Sequence, residues 1–68
     1  MYFMIKTPAG YLQEYIRRFD NGKIAGYCVD FTPEQESADL FATERRAEQV
    51  IKRHNLKNAQ IIDSNFLI

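Results

Sequence analysis

Thr7-Pro8-Ala9-Gly10-Tyr11-Leu12-Gln13-Glu14-Tyr15-Ile16-Arg17-Arg18-Phe19-Asp20-Asn21-Gly22 decides the fold, because the stretch carries two incompatible patterns at once. As a helix, it has Thr7 as N-cap, Pro8 at the first helical position, and Tyr11, Leu12, Tyr15, Ile16 and Phe19 as a stripe at helical spacing. As a hairpin, Thr7-Pro8-Ala9-Gly10 is a type I turn with Pro second and Gly10 closing at positive φ. Asn21-Gly22 is then the next turn, the strongest two-residue hairpin signal in the chain. The hairpin is preferred. Glycine in a first helical turn costs about 1 kcal/mol, whereas at a bulge it is useful, and aromatic and β-branched residues suit strands.

Upstream, residues 1–6 are aromatic and branched, the profile of a strand. Downstream, Ala25, Tyr27, Val29 and Phe31 alternate with Gly26, Cys28 and Asp30, as in a half-buried strand. Thr32-Pro33-Glu34-Gln35 reads as a cap with Pro33 at the first helical position and Gln35 at the capping-box position, opening a turn or two of helix through Asp39; an acidic loop fits equally. Thr43 caps a longer helix whose inward stripe is Ala47, Val50, Ile51 and His54. Asn55 ends it, Leu56 packs back, Ala59-Gln60-Ile61-Ile62-Asp63 is a last strand, and Phe66-Leu67-Ile68 makes an apolar tail. The expected fold is α+β, in the order β-β-β-α-β: a small, mostly antiparallel sheet with one helix on one face, as a single domain. A right-handed crossover would set the last strand beside the first and parallel to it, leaving the N-terminal strand central.

Length and composition narrow the function classes. A chain of 68 residues buries only about 60% of the surface its unfolded form exposes, so the nine Phe and Tyr are expected to supply much of the core. Little room is left for a cofactor pocket, which takes about 300 Å³ or more, and no cofactor is expected. Nine basic residues balance nine acidic ones, which removes the simplest electrostatic case for nucleic acid while leaving local clusters open. Cys28 stands alone, so no intrachain disulfide forms and a reducing, cytoplasmic setting is expected. The apolar start is too short for a signal peptide, and no run approaches a membrane span.

Catalytic and metal chemistry find few candidates. His54, the only histidine, reads as a helix C-terminal residue complementing the macrodipole; a pairing with Cys28 has no shared motif behind it, and one Cys with one His falls short of a zinc set. The three glycines are dispersed and turn-like, and Ser37 and Ser64 lack a neighbouring base. The chain is therefore expected not to be an enzyme.

Charge is patterned instead. Asp30, Glu34, Glu36, Asp39 and Glu44 follow one another with no cation between, and Glu34, Glu36 and Asp39 are the expected partner-binding residues, since a one-signed patch on a neutral protein docks directionally. Arg45, Arg46, Lys52, Arg53 and Lys57 line the solvent side of the long helix and are the candidate contacts for nucleic acid in the alternative reading. Leu12, Ile16 and Ile24 are expected on the sheet face away from the helix; with the apolar tail they suggest a homodimer.

The stretch Ala38-Asp39-Leu40-Phe41-Ala42-Thr43-Glu44-Arg45-Arg46-Ala47-Glu48-Gln49-Val50-Ile51 resembles a pattern of very small phage and prophage proteins: an acidic loop, an Ala-x-x-Phe step, and a Thr-capped helix with an internal Ala. Such proteins include host-defence inhibitors of the anti-CRISPR kind. The resemblance implies a small non-enzymatic protein in the host bacterial cytoplasm that blocks a host protein or nucleoprotein complex through a charged or edge-strand surface.

Overall fold

The computed structural model describes residues 1–63, so the expected tail Phe66-Leu67-Ile68 lies outside the described residues. The elements are β1 (Phe3–Thr7), β2 (Gly10–Arg18), β3 (Ile24–Thr32), a single 3-10 turn (Gln35–Ser37), α1 (Glu44–Arg53) and β4 (Gln60–Asp63). They form one four-stranded antiparallel sheet in the order β3-β2-β1-β4. The fold is thus α+β, with β1 and β2 central.

Local chemistry explains the two hairpins. At the first, the Thr7 hydroxyl accepts from Ala9 N–H and donates to the Gly10 carbonyl, both at 3.1 Å, and Gly10 takes φ +128°. At the second, the Phe19 carbonyl accepts from Gly22 N–H and Phe19 N–H donates to Lys23 O, with Gly22 at φ +84°. The loop is therefore Asp20-Asn21-Gly22, one residue longer than the two-residue turn that Asn-Gly signals. This is a type I turn closed by a left-handed glycine, and the Asn21 side chain accepts from Lys23 N–H.

Side chains alternate across the sheet. Ile5 on β1 and Leu12 on β2 face α1 and form the buried cluster with Ala47 and Val50. Met4 and Gln13 therefore face the other way, where the 3-10 turn covers them: Gln13 Nε2 donates to Ser37 O at 2.7 Å, and the Gln35 amide lies 3.8 Å from Met4 Sδ. The buried hydrophobics are Met4, Ile5, Leu12, Ala38, Ala47 and Val50. The expected aromatic core is thus corrected to an aliphatic one, with Phe31 and Phe41 only half-buried against it. Leu12, expected on the open face, is a core residue.

Two further expectations are corrected. Thr32 and Gln35 make no capping box: the Thr32 hydroxyl accepts from Glu34 N–H, and the turn runs only from Gln35 to Ser37. Thr43 does cap α1, its hydroxyl accepting from Arg46 N–H at 3.2 Å.

The last strand is antiparallel to β1, not parallel, pairing Phe3 with Asp63 and Lys6 with Gln60. The cause is the route of residues 38–41. A parallel crossover needs the helix to carry the chain back along the sheet. Here that return is made first by extended backbone: Asp39 N–H donates to Leu12 O on β2 at 3.0 Å, and Phe41 exchanges both backbone hydrogen bonds with Phe3 on β1 at 2.7 and 2.8 Å. α1 and the loop after it then bring the chain to the Lys6 end of β1, and from there β4 runs back toward Phe3. Because β1 and β2 pair only at Lys6↔Tyr11 and Thr7↔Gly10, the segment passes from the 3-10 face to the helix face between them.

Candidate interaction site

Glu14 is the polar centre of the helix face. It sits between Leu12 and Ile16 on the inward side of β2, and its carboxylate meets His54 Nε2 at 2.6 Å and Arg53 Nη1 at 3.2 Å. The Glu14 and His54 side chains are mostly buried, at 17% and 12% exposure. This arrangement ties the end of α1 to β2. Cys28, opposite Tyr15 in the ladder, lies on the other face of the sheet, so no Cys/His pair forms. Beside Glu14 is a cavity of about 120 Å³ lined by Phe41, Arg46, Gln49, Val50 and Arg53, small against the ~300 Å³ typical of ligand pockets. A wider depression of about 280 Å³ lies under the first turn, among Lys6, Thr7, Pro8, Asn58 and Gln60. Its one cation, Lys6, stands 5.5 Å from the Tyr11 ring.

The basic residues divide. Arg46 and Arg53 share the cavity beside Glu14, and Arg53 also lies over the Tyr27 ring at 5.1 Å. Helical spacing turns Arg45 and Lys52 outward, away from Ala47 and Val50, and Lys57 follows the helix in the loop. The five cations expected to act together form a flank and a back rather than one patch.

The acidic residues divide as well. Glu34 and Glu36 are exposed on the face opposite α1. Asp39 is half-buried, and its Oδ2 accepts the Glu14 N–H at 2.7 Å. With its own N–H on Leu12 O, Asp39 takes up two backbone groups on the edge of β2 that β1 has left. Removing this charge-assisted bond strands a backbone donor, so Asp39→Ala is expected to lose about 1–3 kcal/mol. Glu36→Ala is expected to stay within about 0.5 kcal/mol. Urea denaturation of the pair checks this, and equal midpoints would contradict it.

A surface that charge reading missed is the far half of the β2–β3 hairpin. The ladder runs from Tyr11↔Thr32 to Arg18↔Ile24, while β1 pairs with β2 only up to Tyr11. The hairpin projects as an arm, and the molecule measures 41 × 22 × 22 Å. The arm carries Tyr15, Ile16, Phe19, Ile24 and Tyr27, between 44% and 60% exposed. Arg17, Arg18 and Lys23 surround its tip against the single Asp20. Ile16, expected with Leu12 on the sheet face away from the helix, shares the helix-facing side with Leu12 and Glu14 instead; it and Ile24 are exposed there, and nothing in the alternation showed that β1 stops short of them.

No family model, no curated protein and no solved structure matches this chain.

Proposed function

We propose that this chain is a non-catalytic protein-interaction module that engages a partner protein through the tip of its β2–β3 arm. The exposed Ile16 and Ile24 on one face of the arm, with Tyr15 on the other and Phe19 at its tip, carry the reading, since a domain this small has little core to spare for solvent and large exposed apolar side chains gathered on one projecting element mark interfaces. The partner surface that fits is an apolar recess with an acidic rim, complementary to Arg17, Arg18 and Lys23. In line with the resemblance to small phage inhibitors, the partner would be a host protein or nucleoprotein complex, blocked by occupancy. Glu34 and Glu36, at the other end of β3, are a secondary contact in this proposal, and Asp39 drops out of the contact set as a structural residue.

The test compares three immobilised proteins in a bacterial host lysate: the unaltered chain, Ile16→Ser with Phe19→Ser, and Glu34→Lys with Glu36→Lys. The first is expected to retain a stoichiometric protein partner, the second to bind it about thirtyfold more weakly, as two central anchors would, and the third nearly normally. Loss only in the charge-reversed protein returns the site to the acidic turn. Retention of nucleic acid that falls steeply with salt supports the alternative, with Arg46, Arg53 and Tyr27 as its contacts. No retained partner in any arm refutes the proposal.

A further inference from the structure

β3 is an edge strand, and its outer edge points to a second copy of this chain. The outward-facing backbone groups follow from the ladder. Leu12 O and Glu14 N–H are taken by Asp39, so those two residues direct their backbone away from β3. By antiparallel alternation their partners Phe31 and Val29 face the outer edge, as does Tyr27 opposite Ile16. The free edge is closed off at both ends. The Asp30 carboxylate folds back to accept Phe31 N–H at 2.9 Å, and the register shift at Arg17/Arg18 leaves Ala25 as the extra residue between Gly26 and Ile24, a bulge that bends the strand away. Between these ends only Tyr27 and Val29 offer both backbone groups outward. From Ile24 to Val29 the edge carries none of the charges or prolines that normally blunt one.

We infer that β3 pairs antiparallel with β3 of a second copy across a two-fold axis at Cys28. Tyr27 and Val29 are symmetric about Cys28, so this register joins Tyr27 of each copy to Val29 of the other in four backbone hydrogen bonds. It also places Asp30 opposite Gly26 of the second copy, where a side chain meets open space: a Cβ built on Gly26 has nothing within 4 Å. An axis one residue away at Tyr27 would instead call on the bulged Ala25. The two sheets become one of eight strands, and the half-exposed Tyr27 is covered. The pairing goes beyond the partner reading above, because the tip at Phe19 stays outside it.

The register makes its own reporter. Cys28 faces Cys28 of the second copy at a non-hydrogen-bonded position, with Cα atoms about 4.5 Å apart, inside the range a disulfide spans. The full chain is expected to sediment as a dimer at micromolar concentration, and copper–phenanthroline is expected to crosslink it through Cys28 much faster than the urea-denatured chain. Cys28→Lys brings two ammonium groups together at the axis, and Tyr27→Pro removes an outward N–H that β2 does not use. Each is expected to weaken dimerisation at least tenfold with an unchanged circular dichroism spectrum; if one fails to fold, the other and the crosslink decide. A chain monomeric up to millimolar concentration overturns the inference. So does a dimer that both substitutions leave intact, or crosslinking no faster than in urea.

Discussion

Gly10→Ala is expected to remove about 2–6 kcal/mol of stability, a large share of what a domain of this size holds. Gly10 sits at φ +128°, and a Cβ there would stand 2.7 Å from Thr32 O and 3.1 Å from Thr32 C. Both are backbone atoms at the end of β3, and Thr32 is held by its pairing with Tyr11. The left-handed backbone alone costs an alanine about 1–3 kcal/mol, and the contact adds to it because neither neighbour can rotate aside. A 68-residue domain holds only about 3–10 kcal/mol of total stability. Gly22→Ala is the control: φ is +84° but nothing lies within 4 Å, so its loss is expected to be the backbone cost alone, about 1–2 kcal/mol. Thermal unfolding followed by circular dichroism compares them, and a Gly10→Ala transition as high as that of Gly22→Ala would show that β3 does not press on the first turn.

Leu12→Ala is expected to cost about 3 kcal/mol, within the range for deleting a buried leucine side chain. Leu12 is fully buried against Ile5, Ala47 and Val50, between the sheet and α1. Ile16→Ala, four residues along the same face, is expected to cost under about 1 kcal/mol, since Ile16 is 44% exposed. The contrast measures where the core ends. Urea midpoints for the two variants decide it, and equal losses would mean that the arm is packed as tightly as the body.

Most of the fold could be read from residues that act locally. Pro8 and Gly10 fixed the first turn, Asn21-Gly22 the second, Thr43 the helix start, and alternation from Ala25 to Phe31 the third strand. The direction of β4 was illegible because it follows from residues 38–41 bonding to Phe3 and Leu12, and a hydrophobic pattern does not say which backbone a segment meets. The aliphatic core was misjudged for a related reason: aromatic content is visible in the sequence, but whether anything lies over Tyr15 or Phe19 depends on how far β1 extends. Glu14 carries one signal in the sequence, a carboxylate two residues from both Leu12 and Ile16 and so on their face of the strand. Its partner His54 was placed correctly at the end of α1, where charge complementarity to the helix explained it without reference to β2. Asp39 looked like one carboxylate of a patch because its task, satisfying the N–H of Glu14, is invisible until two segments far apart in sequence are adjacent.

The insertion of residues 39–41 between β1 and β2 also imposes an order on the kinetics of folding. Phe3 and Phe41 close a loop of nearly forty residues, and such closure carries an entropic cost that must be met before the contact returns any stabilisation. The first hairpin, formed early and alone, has nothing to keep its strands apart, and continuing its register from Lys6↔Tyr11 would pair Ile5 with Leu12 and Phe3 with Glu14. That fully zipped hairpin blocks the passage the chain needs. Reopening of such a hairpin is then the expected slow step, and substitutions from Phe3 to Ile5 are expected to change the folding rate more than substitutions in the long β2–β3 ladder.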